Sequence, residues 1–234
     1  AKTIGMIGYI IEQELGNIIP FEDHIVTVLT QIVVDPADPA FSNPTKPVGP
    51  VYSKAEAERL QTEKGWSMAA DGEYFRKVVP SPLPQRIIEI DTIKMLVDNG
   101  VVVICAGGGG IPVAYDKDRK LFGVEAVIDK DLASGLLARD LDADMFVMLT
   151  DVAGVFVNFG TPDQRVIRAA HPDAIEALGF AAGSMGPKVL GACRFVRETG
   201  NTSAIGQLSD LKNIMAGQAG TLISRDIDGI VFGE

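Results

Sequence analysis

Histidine and cysteine are almost missing from this 234-residue sequence, which has only His24, His171, Cys105 and Cys193. Two histidines and two scattered thiols make a zinc site a poor fit. Cys105 ends an apolar run and Cys193 falls in a helical pattern. Both read as small buried apolar residues of a reducing compartment rather than as halves of a bridge. Basic residues are also in short supply: 21 Lys and Arg against 31 Asp and Glu leave a net charge of −10. That balance argues against nucleic acid or an anionic membrane as partner, so any bound phosphate must be met by lysines gathered locally. No apolar run reaches the roughly 18–20 residues that a membrane span needs. There is no internal repeat of solenoid period, no GxGxxG fingerprint and no GxxxxGK[ST] phosphate loop.

What is present is a globular composition, 47% hydrophobic and 22% charged, and one stretch that organises the rest. Val101–Val113 reads VVVICAGGGGIPV. Its β-branched start, apolar on both faces, predicts a buried parallel strand. Gly107, Gly108, Gly109 and Gly110 follow; lacking Cβ atoms, they permit positive φ and let main-chain N–H groups close on an anion. A tight turn would need only one or two of them. Four at the carboxyl edge of a strand, where open α/β sheets bind ligands, point to a small-anion site without naming the anion.

Helical spacing of Ile4, Ile7, Ile10, Ile11 and Leu15 predicts an amphipathic helix over Thr3–Leu15, with Gly5 and Gly8 marking close packing. An α/β domain seldom opens on a helix with no strand before it, so further residues are expected upstream of Ala1. Ile25–Val34 reads as a strand. Pro36, Pro39, Pro44, Pro47 and Pro50 then exclude regular structure over Asp35–Pro50 and put Lys46 in a PTKPVGP loop. Ser53–Lys64 is a helix with a Ser53/Glu56 capping box. Trp66–Ala69 and Tyr74–Val79 flank an Asp71-Gly72 turn as a hairpin. Residues 35–80 thus form a small lid-like excursion on a main domain covering 1–234. Lys46 there is open to two readings, a cation reaching a substrate phosphate or an ordinary solvated lysine. Ile87–Asp98 predicts a helix with Ile87, Ile90, Ile93, Met95 and Val97 largely inward.

Through the second half, strands at Met145–Leu149, Ser203–Gln207 and Gly220–Ile223 alternate with helices at Pro172–Leu178, Gly183–Glu198 and Ser209–Met215. His171 reads as a cap rather than a catalyst. The alternation predicts the α/β class: a three-layer αβα sandwich on a mainly parallel open sheet, with a small protruding subdomain. Met145–Leu149 delivers Thr150, Asp151 and Val152 at its carboxyl end, either a second ligand-edge turn or an Asx-turn closing its own loop. Lys130 opens a helix carrying Leu132, Leu136, Leu137 and Leu141 on one face, with Asp129 or Asp131 as N-cap. Lys188 falls in the first turn of the helix that Ser184 can cap and Pro187 can begin. A lysine fits a first turn badly, because the helix dipole presents partial positive charge there. The misfit is relieved if helix end and lysine face an anion together; otherwise Lys130 is a surface lysine. Its repetition at Lys188 favours one shared anionic ligand.

GGGGIPV, IDKD at 128–131, TDV, NFGTPDQ and GSMGPK, with PTKPVGP and the opening GMIGY, together resemble the carbamate kinases of the amino acid kinase family. The resemblance runs in order over nearly the whole chain. It implies an αβα sandwich whose N-terminal half binds the acceptor and whose C-terminal half binds ATP. The implied reaction moves a phosphoryl group between ATP and carbamate with Mg²⁺, often toward ATP from carbamoyl phosphate, in a cytoplasmic homodimer. It gives Lys130 and Lys188 the transferring phosphoryl group and the nucleotide phosphates, with Asp131 orienting these lysines. Gly107–Gly110 would face the acceptor, and Thr150, Asp151, Val152 and Met185 would border the nucleotide. Lys46 would come from the subdomain and close over the phosphates. A transition state of dispersed negative charge calls for fixed cations and N–H donors more than for a strong base.

The family's opening strands, ending in GGNA- and GNGP-type loops, have no counterpart here. The resemblance therefore implies a segment upstream or on a separate chain, with the donor side intact and the acceptor side incomplete. The 234 residues alone are then expected to aggregate or associate through an open sheet edge, and to make no ATP. Two alternatives stand beside this reading. One is a related kinase acting on a carboxylate such as acetylglutamate, against which PTKPVGP weighs. The other is a catalytically silent nucleotide-binding or assembly protein.

Overall fold

The computed structural model describes residues 2–20, 22–181 and 185–233. The chain divides into two compact units, Ala1–Ala133 and Ser134–Glu234. In the first, α1 (Lys2–Gly16) leads through β1 (Ile25–Thr27), β2 (Gln31–Val33), β3 (Lys46–Tyr52) and α2 (Lys54–Lys64) to β4 (Met68–Asp71) and β5 (Tyr74–Val79). There follow β6 (Arg86–Ile87), α3 (Ile90–Asp98), β7 (Val102–Ile104), β8 (Ile111–Tyr115), β9 (Leu121–Gly123) and the start of α4 (Lys130–Asp140).

The glycine stretch breaks what the apolar run at 25–34 predicts as one strand. β1 pairs in parallel with β7, Thr27 opposite Ile104, and β2 pairs in parallel with β8, Gln31 opposite Ile111. Between these pairs Cys105–Gly110 stands against Val28–Thr30, six residues against three. The surplus forms a loop with a 3₁₀ turn at Gly107–Gly109. The Val28 N–H donates to the Ile104 carbonyl at 2.9 Å and the Ile111 N–H to the Thr30 carbonyl at 2.8 Å, closing the ladder on either side. The glycines thus follow the carboxyl end of β7, as expected, and link it to β8, whose parallel partner β2 belongs to a second sheet, β6-β2-β8-β9.

Ala106 enters the loop at φ 53°, costly for a residue with a Cβ. The buried Thr30 hydroxyl accepts its N–H at 2.8 Å and donates to the Val28 carbonyl at 3.0 Å, which holds that conformation. Gly8 lets α1 lie on β1, since a Cβ there would stand 2.3 Å from Thr27 Cγ2. The opposite face of α1 leaves Met6, Tyr9 and Ile10 exposed.

β3, β5 and β4 form a separate antiparallel sheet. The expectation that prolines keep 35–50 irregular therefore fails at Lys46–Pro50. β3 is an edge strand, where Pro47 and Pro50 need no partner for the N–H they lack. Gly49, at φ 72°, sits in a register shift between Val48 and Val51 that absorbs the second proline. The hairpin turn is Gly72-Glu73, one residue later than expected, with Asp71 paired to Tyr74. α2 opens with Ser53 Oγ accepting the Glu56 N–H at 3.3 Å and ends at Gly65, φ 65°. Lys64 and Lys77 hold their ammonium groups over the Trp66 ring, 4.6 and 4.7 Å from its centroid. α3 starts later than expected because Arg86–Ile87 joins β2 as a strand; Ile93 is fully buried, while Met95 and Val97 face outward.

The second unit contains β10 (Met145–Thr150), β11 (Val155–Val157), β12 (Arg165–Ala170), α5 (Pro172–Glu176), α6 (Met185–Thr199) and β13 (Thr202–Gln207). It closes with α7 (Leu211–Met215), β14 (Thr221–Ile223) and β15 (Ile230–Phe232). The strand order is β10-β13-β14-β12-β11, with β15 also on β12. Phe146 and Met148, level with Ser203 and Ile205 in the parallel β10–β13 register, share a core with Ala192, Cys193 and Val196 of α6. The Phe146 and Phe195 rings meet edge-on with centroids 5.7 Å apart. Gly206 points to the other face, where a Cβ would lie 2.6 Å from Ile214 Cδ1 of α7. Helices therefore cover both faces of this sheet, the layering expected of the α/β class.

Strand direction departs from the expectation of a mainly parallel sheet. β10–β13 and β12–β14 are parallel, whereas β11–β12, β12–β15 and β13–β14 are antiparallel. Where the connection is a short loop, as from β11 to β12, the chain can only return antiparallel. Burial pushes the Cys105 thiol up to about 11 and the Cys193 thiol up to about 12, so both stay protonated at neutral pH.

Candidate active site

α4 begins at Lys130 because Asp129 precedes it. Asp129 Oδ1 accepts the N–H of Asp131 at 2.9 Å and of Leu132 at 3.3 Å, meeting two donors that the first turn leaves without partners. Of the two candidate caps, Asp129 is the one used. Its other oxygen, Oδ2, accepts Lys46 Nζ at 2.5 Å. Lys46 is therefore not an ordinary solvated lysine: it starts β3 and reaches back to the first turn of α4.

Burial alone would raise the Asp129 pKa. The Lys46 hydrogen bond and charge, with the two backbone donors, outweigh burial and hold the carboxyl below its usual range. A depressed folded pKa means that this contribution to stability is fully present above the unfolded carboxylate value of about 3.9 and is lost as pH falls through the lower folded value. Asp129→Asn is therefore expected to destabilise the fold most at about pH 7 and less at about pH 3, below the unfolded carboxylate value, where the parent's contribution is already declining. Urea unfolding at both pH values checks this, and an equal penalty at both would leave only the uncharged capping role.

The glycine loop packs on the same turn. A Cβ at Gly109 (φ 92°) would stand 2.2 Å from the Ile128 carbonyl oxygen and 3.4 Å from the Lys130 nitrogen. Gly107–Gly110, Lys46, Lys130 and Asp131 are thus brought together in the first unit. Lys130 is largely exposed, with Nζ 3.8 Å from Oδ2 of the nearly buried Asp131. A cavity of about 330 Å³ adjoins the loop on the α1 side, lined by Ile4, Ile7, Thr27, Ile104 and Gly107 among others. Neither Lys46, Asp129 nor Lys130 lines it, so its apolar wall is not where an anion's charge would be met.

In the second unit β10 ends at Thr150, whose Oγ1 donates to Asp151 Oδ1 at 3.0 Å, with Val152 half-buried behind. α6 opens at Met185 with Lys188, half-buried, in its first turn. Gly186 makes that entry tight: its N–H donates to the Ala181 carbonyl at 3.0 Å, and a Cβ would stand 2.8 Å from the same oxygen. Ser184, expected as the cap, lies outside the described residues. The far end of α6 is fixed where Asn201 Nδ2 donates to the Ala143 carbonyl at 2.9 Å, beside the Met145–Thr202 pair that starts β10 and β13. Fifteen helical residues span about 22 Å and six strand residues about 20 Å. The helix therefore runs back to the carboxyl edge of β10, and Met185 and Lys188 share that edge with Thr150, Asp151 and Val152. Sequence reasoning missed Asp129 as a partner of Lys46, 83 residues away. The only trace of it was a second acid beside Lys130.

A glycine loop on a helix N-terminus and a lysine in the first turn of each of two helices, on α/β sheets, are the parts of a phosphate-handling enzyme. The model of the amino acid kinase family matches residues 38–206, and the chain belongs to that family. Its relatives there are carbamate kinases. That of Haemophilus influenzae is 58% identical over 232 residues, covering 99% of this chain and 75% of that protein. That of Rhizobium meliloti is 52% identical over 234 residues, covering 99% and 72%. The structure of Giardia lamblia carbamate kinase bound to AMP-PNP superposes with a TM-score of 0.85 at 43% identity, covering 96% of this chain and 73% of that one.

Proposed function

We propose that the chain transfers a phosphoryl group between ATP and carbamate: carbamoyl phosphate + ADP ⇌ carbamate + ATP. The observation that carries the reading is Asp129, one buried carboxylate that caps α4 and holds Lys46 at 2.5 Å, on the turn against which Gly109 packs. The similarity to proteins named carbamate kinase supplies the acceptor. During transfer, negative charge spreads over the three equatorial oxygens of the phosphoryl group, so fixed cations and N–H dipoles lower the barrier more than a base does. Carbamate already carries a charged oxygen and needs no deprotonation.

In this reading Lys130 and Lys188 neutralise the migrating group, Asp131 orients these lysines, and Lys46 closes over the phosphates. The N–H groups of Gly107, Gly108, Gly109 and Gly110 receive the acceptor. Lys188 and the α6 N-terminus meet the nucleotide phosphates, bordered by Thr150, Asp151, Val152 and Met185. Mg²⁺ arrives as part of MgATP, held chiefly by phosphate oxygens and water. Residues 35–80 act as the lid that carries Lys46, and the working form is a cytoplasmic homodimer, as the family resemblance implies. No helix among the described residues is long and apolar enough to cross a membrane.

The test is ATP formation from ADP and carbamoyl phosphate with Mg²⁺, by the chain together with a segment carrying GGNA- and GNGP-type loops. ATP should form from carbamoyl phosphate, and ATP should not be consumed with acetylglutamate. Consumption with acetylglutamate would reassign the acceptor. ADP binding without ATP formation would replace the enzyme by a silent nucleotide-binding protein.

A further inference from the structure

We infer that Asp129 is a positioning residue for Lys46, a single carboxylate that fixes where the cation of β3 stands against the first turn of α4. Its kinetic consequence rests on the phosphoryl-transfer reading above. Oδ1 is pinned by two backbone N–H groups of α4, at 2.9 and 3.3 Å, which sets the carboxylate plane. Oδ2 therefore presents its lone pairs at one place, and Lys46 Nζ occupies it at 2.5 Å. A lysine ammonium on a flexible four-carbon stem has no such definition of its own.

The surroundings make this the point of control. Lys46 is paired with Val79, and the next residue, Pro80, accepts the Val127 N–H on its carbonyl at 2.9 Å. Two segments, 46 with 79–80 and 127–129, are thus joined at the root of the small sheet by one backbone bond and one ion pair. A second ion pair links the same regions, Lys77 to Glu125 at 4.0 Å, but Glu125 is 93% exposed and such pairs contribute little. The acids on either side of Lys130 divide their work: Asp131 takes the neighbouring lysine, and Asp129 takes the distant one.

Asp129→Asn keeps an acceptor for the α4 donors and removes the charge that holds Lys46. It should lower kcat for ATP formation by about tenfold to a hundredfold, the scale of a misplaced reacting group, while KM for ADP changes less than about threefold. In a Lys46→Met background the same change should add nothing, since both act through one contact. Glu125→Gln should leave kcat within about twofold. Independently of activity, hydrogen exchange should quicken in β3 of the Asp129→Asn protein and stay unchanged at the start of α4. Multiplicative losses in the double variant, or exchange that quickens in α4 as much as in β3, would make Asp129 a helix cap and overturn the inference. If Lys46→Met leaves turnover intact while Asp129→Asn still frees β3, positioning stands and the assignment of Lys46 to the reaction falls.

Discussion

Lys188→Ala is expected to lower turnover about 100- to 1,000-fold, a loss of about 2.7–4 kcal/mol of transition-state stabilisation, the cost of one preorganised donor. ADP affinity should fall less than turnover. The reason lies in where the residue stands. Lys188 is in the first turn of α6, where backbone N–H groups and the helix dipole already favour an anion. Ground-state phosphates keep part of that attraction when the ammonium is removed. In the proposed reading the migrating group, whose charge redistributes most during transfer, loses a cation meant to meet that change. Calorimetric ADP binding and steady-state turnover on the same preparation separate the two. Equal losses in both would make Lys188 a binding residue with no share in the chemical step.

The largest effect on the fold is expected from Gly109→Ala. At φ 92° any side chain is strained, and here the new Cβ would also stand 2.2 Å from the Ile128 carbonyl oxygen, a backbone atom that cannot swing aside. Either the loop or the first turn of α4 must shift. A loss of about 3–5 kcal/mol, or failure to fold, is expected, the range reserved for backbone strain combined with core overlap. Gly108→Ala is the control. Its φ is 63°, but nothing lies within 4 Å of the added atom, so its cost should stay near the 1–2 kcal/mol of the left-handed conformation alone. Urea midpoints of the two variants check the difference. Similar midpoints would mean that the loop does not bear tightly on α4.

The two positions also show what could be read from the letters of the chain. Four glycines after an apolar run announced a loop that needs positive φ, and three of the four have it. The letters could not say that the loop would lead into a strand of another sheet, because that depends on β2 lying close enough to β8 to pair. The prolines at 47 and 50 were misleading for a similar reason. Proline forbids a central strand, but whether a strand is central is decided by its neighbours, and β3 has β5 on one side only. Lys130 and Lys188 were legible as first-turn lysines, because a cation there is a local misfit. Asp129 was half legible: a cap is local, but its second oxygen serves a lysine on another strand. Met95 and Val97 were misplaced because the start of α3, and hence the face it buries, was set by Arg86–Ile87 joining a sheet.

Trp66 is the chain's one tryptophan, and it lies between α2 and β4 with two ammonium groups over its ring. Indole emission responds to the electric field of nearby charge, so the protein carries its own optical label beside the sheet that bears Lys46. Lys64 comes from α2 and Lys77 from β5, and any hinge or shear between helix and strand changes the field at the ring. Stopped-flow fluorescence on the unmodified chain can therefore test whether residues 35–80 move when nucleotide binds, without a dye, an added cysteine or a second tryptophan to confuse the signal.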